Sequence, residues 1–260
     1  MVEKKLIIII LNCIIIFLAG SFCAFGQENE LDLKGKRITI KVIKQPLSVV
    51  FKYLIENYDV PIGFEKSTLD RQHNDYVFET NLLYEVDQRS ISKDSPISSQ
   101  NEPALGGNRH WFTVNVENGK LEDVLNIIVR QLENYKWEIN DNVVNIFPVQ
   151  GRDQRYEKLL ELNINKFTLE NPLFIFSIRD EIIVLPEVIK FLDENELHFT
   201  IFRSRGINNR HRQLDIGLNF SNLSFRELLN KITKVKRGGW ILQENHRYGS
   251  KGNEYIEIDI

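Results

Sequence analysis

WFTVNVENGKLEDVLNIIVRQLENYKWEINDNVVNIF, residues 111–147, carries the pattern from which the fold is read. Phe112, Val114 and Val116 alternate with Thr113, Asn115 and Glu117, the two-residue period of a strand buried on one face. Asn118-Gly119 is a turn signal. From Leu121 the period becomes that of a helix, with Leu121, Val124, Leu125, Ile128, Val129 and Leu132 along one stripe. Glu122 and Asp123 stand in its first turn, where carboxylates suit the positive end of the helix dipole. Residues 137–139 and 143–147 then read as two short strands around Asn140-Asp141-Asn142. Strand, helix and hairpin make a βαββ unit.

The unit recurs along the chain. Shifted by 104 residues, Asn115, Asn118, Leu125, Asn126 and Ile128 fall on Asn219, Asn222, Leu229, Asn230 and Ile232, and Trp137 meets Trp240 after a slip of one. Upstream, Ile38, Ile40 and Val42 alternate as a strand, and Pro46 opens a helix with the stripe Leu47, Val50, Phe51, Leu54, Ile55 and Tyr58. A strand follows at 60–64. That helix repeats 138 residues on, where Leu47, Val50, Phe51 and Leu54 meet Leu185, Val188, Ile189 and Leu192. Two helices with flanking strands, twice and in the same order, predict an α+β protein of two tandem βαββαβ-like domains, with helices packed on one face of small mixed sheets. The first spans 37–148 with an insertion at about 71–109 rich in Ser, Asn, Asp, Gln and Gly, and a charged linker runs over 149–158. The second, more degenerate, spans 159–260; its opening alternation of Leu160, Leu162 and Ile164 reads as a strand without a partner in the first copy. Its last helix is marked by Ser224 and Glu227 as a capping box, a basic end, and Gly238-Gly239 as its stop.

The amino terminus reads separately. Lys4 and Lys5 precede an apolar run from Leu6 to Leu18, and Ala24-Phe25-Gly26 supplies small residues three and one before Gln27, the pattern of a secretory signal peptide over 1–26 cut after Gly26. Lipidation at Cys23 is disfavoured by the bulky Phe22 before it. An uncleaved anchor over 6–25 would be about 20 residues, barely long enough to span; membrane contact follows only in that case. Both cysteines, Cys13 and Cys23, lie in the leader, so the mature chain is expected to hold no disulfide and no thiolate. An exported domain free of cysteine suits the periplasm of a bacterial envelope. The formal charge of −3 over 260 residues exerts no global pull toward nucleic acid.

Catalytic chemistry finds little footing. The five histidines, His73, His110, His198, His211 and His246, form no helical pair of zinc-site spacing, and no metal or other cofactor is expected. There is no G-x-S-x-G and no glycine-rich phosphate loop. Acidic neighbours such as Glu122-Asp123 and Asp193-Glu194 point about 100° apart on a helix and do not converge. Arg203, Arg205, Arg210, His211 and Arg212 form a basic cluster that reads first as a solvated hairpin loop and second as a site for an anionic ligand or envelope glycan. Tyr53, Ile127 and Phe191 lie off their helix stripes at a common phase, which suggests a second contact face, toward the other copy or a partner.

ITIKVIKQPLSVVFKYLIENYDVPIGFE (38–65), FTVNVENGKLEDVLNIIV (112–129) and YKWEINDNVVNIF (135–147) together resemble the short N-terminal domain of secretins and TonB-dependent receptors. The resemblance covers 37–148 apart from the insertion; the second copy is similar in pattern. It rests on a hydrophobic pattern and brings no catalytic residues. What it implies is a periplasmic, non-catalytic interaction module, tandem and standing without a following barrel, acting as adaptor or sensor accessory toward an envelope protein.

Overall fold

The computed structural model describes residues 33–67, 111–170, 175–199, 217–244 and 254–259; the leader and the insertion at about 71–109 lie outside them. Alternation builds β1 (Arg37–Gln45), which buries Ile38, Ile40 and Val42. α1 (Leu47–Tyr58) sets Leu47, Val50, Phe51 and Leu54 into the same core and ends on Asp59, left-handed at φ 47°. β2 (Ile62–Glu65) follows, buried throughout. β3 (Phe112–Lys120) pairs antiparallel with β1. It runs through Asn118-Gly119 where a turn was expected, because Asn118 takes φ 48° and a register shift between Ile38 and Ile40 absorbs the bend. Lys120 passes straight into α2 (Leu121–Gln131), and the Lys120 N–H donates to Asp123 Oδ2 at 2.9 Å. β4 (Tyr135–Asn140) and β5 (Val143–Pro148) close a hairpin over Asp141 and Asn142, both left-handed (φ 52° and 58°), the conformation a two-residue hairpin turn prefers.

The second half opens with α3 (Gln154–Leu160) where a linker was expected. Asp153 caps it, accepting from the Arg155 N–H at 2.8 Å, and Tyr156, Leu159 and Leu160 are buried. β6 (Asn163–Leu169) then pairs antiparallel with β8 (Leu218–Ser224). It is the counterpart of β1, which corrects the reading of an extra strand: the Leu121 N–H donates to the Lys36 carbonyl at 2.9 Å just before β1, and the Phe225 N–H to the Leu162 carbonyl at 2.8 Å just before β6. The correspondence was hidden because α4 (Ile175–Ile183), a helix without counterpart in the first half among the described residues, stands between β6 and α5 (Pro186–Glu194) and changes the spacing. α5 buries Val188 and Leu192 but leaves Ile189, read as core, 43% exposed. β7 (Leu197–Phe199) follows. α6 (Phe225–Lys236) has the expected capping box: Ser224 Oγ accepts from the Glu227 N–H at 3.2 Å and Glu227 Oε2 from the Ser224 N–H at 2.7 Å. It closes on left-handed Arg237 (φ 50°), so Gly239 is left to begin β9 (Gly239–Glu244), which leads to β10 (Glu254–Asp259).

The fold is α+β, and its strand pairing repeats. β4–β5 is antiparallel and β5–β2 parallel; β9–β10 is antiparallel and β10–β7 parallel. Instead of two small sheets, however, the two sets join through parallel pairing of β2 with β9 into one six-stranded sheet, β4-β5-β2-β9-β10-β7, beside the two-stranded pairs β1–β3 and β6–β8. Joining satisfies backbone groups that two open edges would leave to water, among them the Lys66 N–H, which donates to the Leu242 carbonyl at 2.9 Å. Register fixes the faces. Ile62 and Phe64 point into a core shared with α1 and α2, whereas Gly63 and Glu65 share the other face with Trp240 and Leu242, which pack with α5 and α6. The two helix sets therefore lie on opposite faces of the sheet. No described helix is long and apolar enough to cross a membrane.

Candidate functional site

Glu65 ends β2 between β5 and β9, all three parallel, so its carboxylate emerges at the carboxyl ends of the strands, where open sheets commonly seat ligands. Here the chain's own cations fill that place. Glu65 is only 3% exposed. Arg152, from the segment after β5, donates to it twice, Nε to Oε2 at 2.8 Å and Nη2 to Oε1 at 3.1 Å. Arg226, from the first turn of α6, donates to Oε1 from the other side. Arg152 spends its remaining edge on Glu157 at 2.8 Å. Two carboxylates meet two guanidiniums through charge-assisted bonds, forked between Arg152 and Glu65. The Phe147 ring underlies the group, with Arg152 5.1 Å, Arg226 6.0 Å and Lys136 4.7 Å from its centroid. The cluster draws residues from β2, from α6 and from the chain between the copies, so it is a fastening of one copy to the other.

One pair further along the same face, Trp240 lies across Gly63. A Cβ at Gly63 would fall inside the indole, and one at Gly239 would stand 2.8 Å from the Ile62 carbonyl oxygen, so both glycines are required by the closeness of the two strands. The indole N–H donates to Asn230 Oδ1 of α6 at 2.8 Å. The first copy repeats the device: Trp137 of β4 donates to Asn126 Oδ1 of α2 at 3.0 Å. Hydrogen bonding thus explains why Asn126 and Trp137 recur as Asn230 and Trp240. Left-handed backbone does the same for Asn118 and Asn222, at φ 48° and 53°.

Arg203, Arg205, Arg210, His211 and Arg212 lie outside the described residues. Tyr53 does not belong to an exposed face: it is 8% exposed, its ring lies 6.1 Å from Tyr58, and its hydroxyl donates to the Thr39 carbonyl at 3.3 Å. Ile127 is half-buried against the first core and Phe191 against the second, so the three residues are not brought together on one surface. Sequence reasoning missed Glu65, Arg152 and Arg226. The signal available was Arg226 itself, a cation in the first turn of a helix, where the dipole disfavours it. Among the described residues no three His, Cys, Asp or Glu side chains gather to hold a metal ion. Burial lowers the pKa of the Lys36 ammonium from its usual 10.5, against the opposing pull of Asp59. Comparisons with protein-family models, with curated proteins and with solved structures find no match to this chain.

Proposed function

We propose that this chain is an exported, non-catalytic protein-interaction module of the bacterial cell envelope, an adaptor or sensor accessory of the kind its resemblance to secretin and TonB-receptor N-terminal domains implies. The observation that carries the reading is the β2–β9 joint. One copy of the unit holds the other by strand pairing, by an indole seated on Gly63, and by the Glu65–Arg226 ion pair. Such contacts recognise an edge strand and a helix face and transform nothing, which is how sheet-edge recognition modules work.

Two experiments test it. Residues 1–26 fused to a reporter active only outside the cytoplasm are expected to give signal; a silent fusion removes the envelope from the proposal. Photo-cross-linkers placed on the exposed surfaces of the protein in its own cells are expected to trap one defined envelope protein. Trapping none from any surface, or recovering turnover of a small molecule by the purified protein, overturns the reading.

A further inference from the structure

The two copies differ in what covers one corresponding surface. On α6 and β9, Asn230, Thr233 and Leu242 are 0% exposed and Trp240 1%, because β2 lies alongside. The matching residues of α2 and β4 are Asn126, Val129, Ile139 and Trp137, and all four are only half-buried. The same indole-to-asparagine hydrogen bond holds both tryptophans, so both rings stand in the same sense over their strand. β4 ends the sheet among the described residues. The first copy therefore presents, with no occupant among the described residues, the socket that β2 fills in the second.

The lining of the empty socket fixes what it takes. In the filled one, Ile62 lies across from Gly239, Gly63 from Trp240, Phe64 from Ile241, and Glu65 from Leu242 within reach of Arg226. Transposed to the first copy, Gly239, Trp240, Ile241, Leu242 and Arg226 become Lys136, Trp137, Glu138, Ile139 and Glu122. The residue across from Trp137 must still be glycine. Its neighbours now meet Lys136 on one side and Glu138 on the other, and the position that met Arg226 meets Glu122 instead. We propose that β4 and α2 accept, in parallel, an extended strand of another protein carrying an acidic–glycine–basic–basic run. This rests on the proposed function and names the partner's chemistry. A second copy of this chain fits poorly, since its corresponding strand β7 reads Leu-His-Phe and offers no glycine to the ring.

The probe is the peptide Ser-Val-Asp-Gly-Lys-Lys-Val-Ser, titrated into the purified protein and followed on the Trp137 indole N–H resonance and on amide exchange along β4. It is expected to bind at least about tenfold more tightly than the same peptide with valine for glycine, or than Ser-Val-Lys-Gly-Glu-Glu-Val-Ser, and to slow exchange in β4. The variant Glu122→Lys/Glu138→Lys, at two half-buried positions outside the Glu65 cluster, is expected to reverse the preference between the two charge patterns. Absence of binding at millimolar peptide, equal binding of all three, or a preference the variant leaves untouched overturns the proposal. In cells, a photo-cross-linker at position 138 is expected to trap the partner. A partner trapped from another surface, such as position 189 on α5, but not from 138 leaves the module reading standing and ends this one, as does a cross-link from 138 back to this chain; a partner trapped from no surface ends both.

Discussion

Asn126 and Asn230 accept the same indole hydrogen bond in two different settings, and the setting decides its worth. Around Trp240 nothing but protein reaches Asn230, so Trp240→Phe strands a buried acceptor and is expected to cost about 1–3 kcal/mol. Trp137 is half-buried and water can replace its N–H, so Trp137→Phe is expected to cost about 1 kcal/mol or less. Urea denaturation of the two variants side by side makes the comparison, and equal losses would refute the difference in setting. Lys36 is the other informative residue. Its folded pKa lies below 10.5 because burial strips water from the ammonium. Between that lowered value and 10.5 the unfolded chain holds a proton that the folded chain has released, so stability gains from rising pH across that window. Below the window the charge is a standing penalty. Lys36→Met is therefore expected to melt higher than the parent at pH 7, with the advantage shrinking as pH approaches 10.5; a constant difference would mean that the charge is not the cause.

At the scale of elements, β2 is placed between β5 and β9 by what it lacks as much as by what it carries. Gly63→Ala puts a methyl group into the Trp240 ring and is expected to destabilise the protein by about 1–3 kcal/mol, the range of overpacked cores, while shifting tryptophan emission to the red as the indole is lifted off the strand. Unchanged emission would mean that the ring does not rest there. Elements set by local pattern were legible from the residues alone: the stripes of α1, α2 and α6, the alternation of β1 and β3, and the capping box at Ser224 all depend on neighbours within a few positions. α3 escaped because a seven-residue helix carries barely two turns of periodicity, although Asp153 before it was a usable cap signal. The role of β6 escaped because α4 displaced the repeat. The joint was illegible for a deeper reason: Glu65 and Arg226 are 161 residues apart, and no period links a strand edge to the edge it will meet. The basic cluster at 203–212 stays where the sequence left it, outside the described residues.

At the scale of the whole molecule, the question is whether two cores on opposite faces of one sheet unfold as one. Each core is nearly complete from its own half, with Ile241 packed against the first as a visitor from the second. What couples them is β2–β9 pairing and the Glu65 cluster. Glu65→Gln keeps the shape and removes the charge, leaving Arg152 and Arg226 facing each other with no carboxylate between them at side-chain exposures of 21% and 15%. Breaking a buried pair from one side typically costs 3–5 kcal/mol, and the residual exposure of the arginines places this one near the lower end, at about 3 kcal/mol. Arg226→Ala is expected to cost less, about 1–2 kcal/mol, because Glu65 keeps the forked bond from Arg152 while losing one charged hydrogen bond. The order matters more than either value. If the carboxylate is the shared hub, its loss loosens the joint and the two cores then melt apart: amide exchange in β4–β5 and in β10 should report one opening free energy in the parent and two in Glu65→Gln. A variant that loses stability uniformly, or an Arg226→Ala protein weaker than Glu65→Gln, would place the coupling in the backbone pairing of β2 with β9 and make the ion cluster a consequence of that pairing.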